Sequence, residues 1–96
     1  MSIMVSVEFS LQDGKQKEFL EFLAGALKDT RAFDGCMKVE TFAEEDAASV
    51  ILIEEWETKK HQEVYFQWRL DTGLGDALGP YISATPKIRY YEIRPE

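Results

Sequence analysis

From Ile3 to Phe9 the apolar residues Ile3, Val5, Val7 and Phe9 alternate with Met4, Ser6 and Glu8, the period of two that marks a half-buried strand. Past the turn signal Asp13-Gly14 the period changes. Phe19, Leu20, Phe22, Leu23, Ala26 and Leu27 fall on one broad helical face, with Lys15, Lys17, Glu18, Glu21 and Lys28 opposite, so an amphipathic helix is expected from about Lys15 to Thr30. Two β-rich runs follow, Cys36 to Ala43 and Ser49 to Glu57, flanking the polar cluster Glu44-Glu45-Asp46 as a hairpin would. Thr58 can cap a second helix running from Lys59 to about Leu70 until Gly73 stops it. A short turn or helix is expected around Asp76 to Leu78. The last strand spans Lys87 to Arg94, where Ile88 and Tyr90 alternate with Arg89, Tyr91 and Ile93.

The resulting order, β-α-β-β-α-β, predicts an α+β ferredoxin-like fold: a four-stranded antiparallel sheet with both helices on one face, in a single domain over residues 1–96. Both alternating faces of the strands carry apolar residues, Val50 and Leu52 on one and Ile51 and Ile53 on the other. A bare second face would be an exposed patch, and pairing sheet to sheet with a second copy covers it most simply, so a homodimer is expected.

Composition narrows the partners. Eleven Lys and Arg against eighteen Asp and Glu leave a net charge of -7, which repels nucleic acid and anionic membranes at long range. The opening MSIMVSVEFS has none of the three regions of a signal peptide, and the longest aliphatic run is far below the ~20 apolar residues of a membrane helix. The lone Cys36 fits a reducing compartment, and together these features predict a cytoplasmic protein. One His and one Cys make a poor set for zinc or iron, the acidic loop lacks the ligand spacing of a calcium site, and no nucleotide-binding glycine motif occurs, so neither a metal nor a nucleotide cofactor is indicated.

The stretch EEWETKKHQEVYFQWRLDTG concentrates the candidate chemistry. His61, Val64, Tyr65 and Trp68 lie at i, i+3, i+4 and i+7 and are expected to face the sheet along one side of the second helix, lining an aromatic pocket suited to a flat ligand. With an intrinsic pKa near ~6.5, His61 is the candidate base; the alternative is an imidazole that completes packing at the start of the helix. Trp56 stands at the pocket mouth, in the dimer seam or in the core. Arg69 either grips a ligand anion or pairs with Asp71 or another carboxylate. Glu54 and Glu55 point to opposite sides of a strand and cannot act as a carboxylate dyad.

Thr30-Arg31-Ala32-Phe33-Asp34-Gly35-Cys36, Glu54-Glu55-Trp56-Glu57, Tyr65-Phe66-Gln67-Trp68-Arg69 before Gly73, and Pro86-Lys87-Ile88-Arg89-Tyr90-Tyr91 together resemble the antibiotic biosynthesis monooxygenase family. That resemblance implies a dimeric α+β barrel that oxygenates a phenolic aromatic, typically a quinol or an anthrone-like polyketide, using O2 without metal, flavin or haem. His61 would be the catalytic residue, with Tyr65, Trp68, Trp56 and Arg69 binding the substrate. The haem-degrading branch uses an asparagine on its first strand, and this chain contains no asparagine, which disfavours haem degradation. The competing expectations are a non-catalytic ligand-binding or assembly domain of the same fold, and a non-oxidative isomerase or decarboxylase.

Overall fold

A computed structural model describes residues 1–46 and 48–96. The elements are β1 (Ile3–Ser10), α1 (Gln16–Ala32), β2 (Cys36–Ala43), β3 (Ser49–Trp56), α2 (Lys59–Asp71), α3 (Leu74–Leu78) and β4 (Lys87–Glu92). The four strands form one antiparallel sheet in the order β2-β3-β1-β4, the ferredoxin-like arrangement that the element order predicts. The second helix of this pattern is followed directly by the short α3, which starts two residues before the expected turn. Gly73, at φ +96, supplies the left-handed conformation that separates α2 from α3.

Strand parity decides which residues enter the core. Val7 pairs with Leu52 and with Ile88, and Phe9 with Val50, so these side chains share the sheet face that the helices cover. Phe19, Leu23 and Leu27 of α1 pack onto that face. Phe19 is fully buried and contacts Phe9 edge-on at 4.9 Å, a burial that contributes about 1.5–3 kcal/mol. Trp56 is equally buried, 5.1 Å from the Tyr65 ring, and belongs to the core.

The opposite sheet face carries Met4, Ser6 and Glu8 of β1, Ile51, Ile53 and Glu55 of β3, and Phe42 of β2. Among the described residues no helix or strand covers it, and Phe42 and Tyr91 remain half exposed there. A register shift between Cys36 and Lys38 turns Met37 out to solvent beside this sheet edge.

Candidate functional site

Between the helix-covered sheet face and helices α1 and α2 lies a cavity of about 480 Å³, within the roughly 300–1,000 Å³ typical of small-molecule sites. Its sheet wall is Val7, Phe9, Leu52, Glu54 and Ile88. Helix α1 contributes Phe22, Leu23, Ala26, Leu27 and Thr30, and α2 contributes Gln62, Tyr65, Phe66, Arg69 and Leu70. The exposed residues Thr72, Gly73, Gly75, Ala77 and Thr85 form a rim at one end.

Helix α2 is turned one residue away from the orientation its apolar stripe suggests. The positions facing the cavity are Gln62, Tyr65, Phe66 and Arg69, whereas Val64 is half exposed, and His61 and Trp68 are absent from the lining. Of the expected stripe, only Tyr65 meets the cavity. His61 instead sits over the loop between α1 and β2, so close that a Cβ on Gly35 would collide with its ring. Its Nδ1 shares a 2.7 Å hydrogen bond with the Thr58 hydroxyl, which also accepts the His61 backbone N–H at 3.1 Å as the helix cap. The other ring nitrogen lies 3.8 Å from Asp34 and 3.7 Å from Glu57, both exposed carboxylates. The expectation that His61 opens onto the pocket is therefore corrected: the cap and the Gly35 contact hold the ring against the loop.

Trp68 packs 5.4 Å from Phe33 on the same outer side of α2, with the Arg69 guanidinium 4.8 Å over its ring. Trp56 is a core residue rather than a mouth residue and does not line the cavity. Arg69 does line it, and among the described residues it pairs with neither Asp71 nor another carboxylate. Its Nε donates to the Tyr65 hydroxyl at 2.8 Å, and its Nη2 donates to the Ala26 carbonyl at 2.7 Å and to the Thr30 hydroxyl at 3.1 Å. Thr30 and Tyr65 share a further 2.6 Å bond. Three elements of polarity, a cation, a phenol and an alcohol, are thus fixed together at one end of an otherwise apolar chamber.

Two cavity residues were not among the sequence candidates. Glu54 is 3% exposed, and its Oε1 accepts a 2.8 Å hydrogen bond from Trp56 Nε1. Burial raises its pKa, with the Trp56 bond opposing that shift. Gln62, 1% exposed, accepts the Tyr90 hydroxyl at 2.6 Å through Oε1. Burial, followed by the charges of Glu63 and Glu54, raises the Tyr90 pKa. The signal for Glu54 was present in the strand pattern: it shares the parity of Val50, Leu52 and Trp56, a carboxylate on a core-facing row. Glu55, its neighbour, points to the other face and accepts the Ser2 hydroxyl at 2.6 Å, so the two are separated as strand alternation requires.

The sequence profile described as "Antibiotic biosynthesis monooxygenase" matches residues 2–69, well over half of the chain. The chain belongs to the antibiotic biosynthesis monooxygenase family. Among solved structures, a conserved protein from Methanosarcina mazei Go1 superposes with a TM-score of 0.83 at 16% identity, covering 98% of this chain and 94% of that one. A monooxygenase from the gene ActVA-Orf6 of Streptomyces coelicolor, solved with the ligand nanaomycin D, gives 0.81 at 21% identity, covering 99% and 89%. Rv0793 from Mycobacterium tuberculosis gives 0.76 at 16%, covering 100% and 98%. At these identities the likeness establishes the family's fold. No curated protein sequence matches the chain. Among the described residues, no helix is long and apolar enough to cross a membrane, and no three His, Cys, Asp or Glu side chains gather as a metal site.

Proposed function

We propose that this family member is a cofactor-independent monooxygenase that oxidises a flat phenolic aromatic, a quinol or an anthrone-like polyketide, with O2. The observation that carries the reading is the cavity between the sheet and the two long helices: it has apolar walls and a small set of fixed polar groups. The family membership supports the same reaction class. Such substrates hold the reducing electrons themselves. Once deprotonated in a chamber that excludes water, the electron-rich anion can reduce O2 directly, so the protein must supply a proton acceptor, hydrogen-bond donors and dry walls. Tyr65 and Arg69 serve here as substrate-positioning groups, with the guanidinium and phenol facing an oxygen of the ligand. His61, Trp56 and Trp68 act from outside the chamber, as the packing around it.

Oxygen uptake by purified protein over a panel of quinols and anthrones tests the proposal. An Ala77→Trp change at the exposed rim narrows the entrance without entering the core, and it is expected to raise KM for any substrate the wild type turns over. Ligand binding without oxygen uptake across the panel favours the non-catalytic binding domain instead.

A further inference from the structure

We infer that Glu54 is the catalytic residue that takes the proton from the bound ligand's acidic C–H or O–H. This assignment deepens the proposed function and rests on its choice of cavity.

The argument begins with the placement of the carboxyl. In register, Glu54 lies opposite Val5 of β1 and Val39 of β2, at the middle of the sheet's helix-facing side. It is almost completely buried, and among the described residues no Lys, Arg or His pairs with it. Burying an ionisable carboxyl without a cation is costly, and a position serving only to pack the sheet is filled at less cost by an apolar side chain. Its one hydrogen bond among the described residues, from Trp56 Nε1 to Oε1, fixes the carboxyl plane. The other oxygen, Oε2, has no protein partner, yet Ser6 Oγ is the sole fully enclosed side-chain polar atom without one among the described residues. Oε2 is therefore accessible, and Glu54 lines the cavity. Gln62 has the complementary arrangement: Tyr90 occupies its Oε1, leaving the amide N–H groups free to donate to a ligand oxygen in the same cavity.

With an anthrone the step balances simply. A methylene C–H bond breaks, the proton passes to Oε2, and the electron pair delocalises onto the carbonyl oxygen, where a Gln62 N–H can receive the charge. Under the proposed function the anthrolate then gives one electron to dissolved O2. The radical and superoxide join at carbon and the peroxide regains the proton from Glu54; loss of the remaining C–H proton from that carbon, with cleavage of the O–O bond, then forms the second carbonyl and releases water. The sum is anthrone plus O2 to quinone plus water.

The first half of this sequence needs no oxygen, which separates the two claims. Anaerobic protein in D2O is expected to accelerate deuterium exchange at the methylene of anthrone, followed by NMR, with Glu54→Gln losing at least tenfold of that acceleration and Glu54→Asp recovering part of it. Because Glu54 must be ionised to act, exchange is expected to rise with pH above the ordinary carboxylate range. Its titratable surroundings are Cys36 on β2, whose own pKa burial and Glu54 raise and Arg31 of α1 lowers, Tyr90 on β4, whose pKa burial, Glu63 of α2 and Glu54 raise, and Tyr65 and Arg69 across the cavity on α2. β1 contributes only Val5 opposite the carboxyl. The variant with Gln should lose this pH dependence while still binding anthrone in a fluorescence titration, a result that a purely structural role would not produce. Exchange undiminished in Glu54→Gln, or no acceleration by the wild type, overturns the assignment. Glu54-dependent exchange without oxygen uptake keeps Glu54 and sinks the monooxygenase reading; oxygen uptake undiminished in the variant does the reverse.

Discussion

Arg69 Nε and the Tyr65 hydroxyl, one helical turn apart on α2, are joined by a 2.8 Å hydrogen bond that aims both groups at the interior rather than at solvent. The same guanidinium ties α2 to α1 through Ala26 and Thr30. One side chain thereby joins the two helices that wall the cavity, in a chain otherwise dominated by carboxylates.

Arg69→Lys tests that tie. An ammonium group cannot reproduce the planar fork that reaches Tyr65, Thr30 and Ala26 together. The variant is expected to lose about 1–3 kcal/mol in urea unfolding, because the Ala26 carbonyl and the Thr30–Tyr65 pair lose a charged donor. Ligand affinity should fall with it. Wild-type stability would show that the cluster is incidental.

Glu54 makes stability depend on pH in a defined direction. Its folded pKa lies above that of the unfolded chain because burial disfavours the charge. Between those two values the native state holds more protons than the unfolded state, so stability is greatest below the unfolded carboxylate range and falls as pH rises through the folded pKa. Glu54→Gln, which keeps an acceptor for Trp56 Nε1, should lack this component and become more stable than the wild type on the alkaline side. Parallel urea titrations of the two proteins across pH measure the difference; superimposable profiles would contradict it.

The strands were readable because a period of two leaves one choice of face. Val50, Leu52, Glu54 and Trp56 all emerge on the helix-facing side, as their parity requires. Helix α2 was harder, since apolar and aromatic residues surround it: Val64 and Trp68 on one side, Phe66 and Leu70 on the other, with Tyr65 between. A pattern of that kind does not determine rotation about the helix axis. The contacts that do so are long-range in sequence: His61 against Gly35, Trp68 against Phe33 and Arg69 onto Ala26. The candidate site shifted with that rotation, and the proposed proton acceptor is a carboxyl on the sheet in place of the imidazole.

The Gly35 and His61 contact separates two costs. Gly35→Ala must place a Cβ against the imidazole and also occupy φ +88, a conformation that costs other L-residues roughly 1–2 kcal/mol. Removing the ring in the double variant with His61→Ala should restore the steric part and leave the backbone part, a coupling that a double-mutant cycle reads. His61→Ala alone should lower stability through its lost contacts with Thr58 and Gly35, while turnover and anthrone exchange persist. Loss of exchange in a folded His61→Ala protein would return the imidazole to the chemistry.

The uncovered sheet face predicts the assembly. Ile53 stands at its centre, opposite Ser6 and Glu40, with Ile51, Phe42 and Tyr91 around it, and Phe42 and Tyr91 are 50% and 41% exposed. A second copy laid against this face would remove those side chains from water at a gain of roughly 25 cal/mol per Å² of apolar surface, less the entropy of association. Sedimentation velocity at micromolar concentration is therefore expected to show a dimer. Ile53→Lys places one charge from each copy near the seam and should shift the species to monomer, leaving the helix-facing core and the cavity in place. A wild-type chain that sediments as a stable monomer would mean that this apolar face tolerates water, and the homodimer would have to be abandoned.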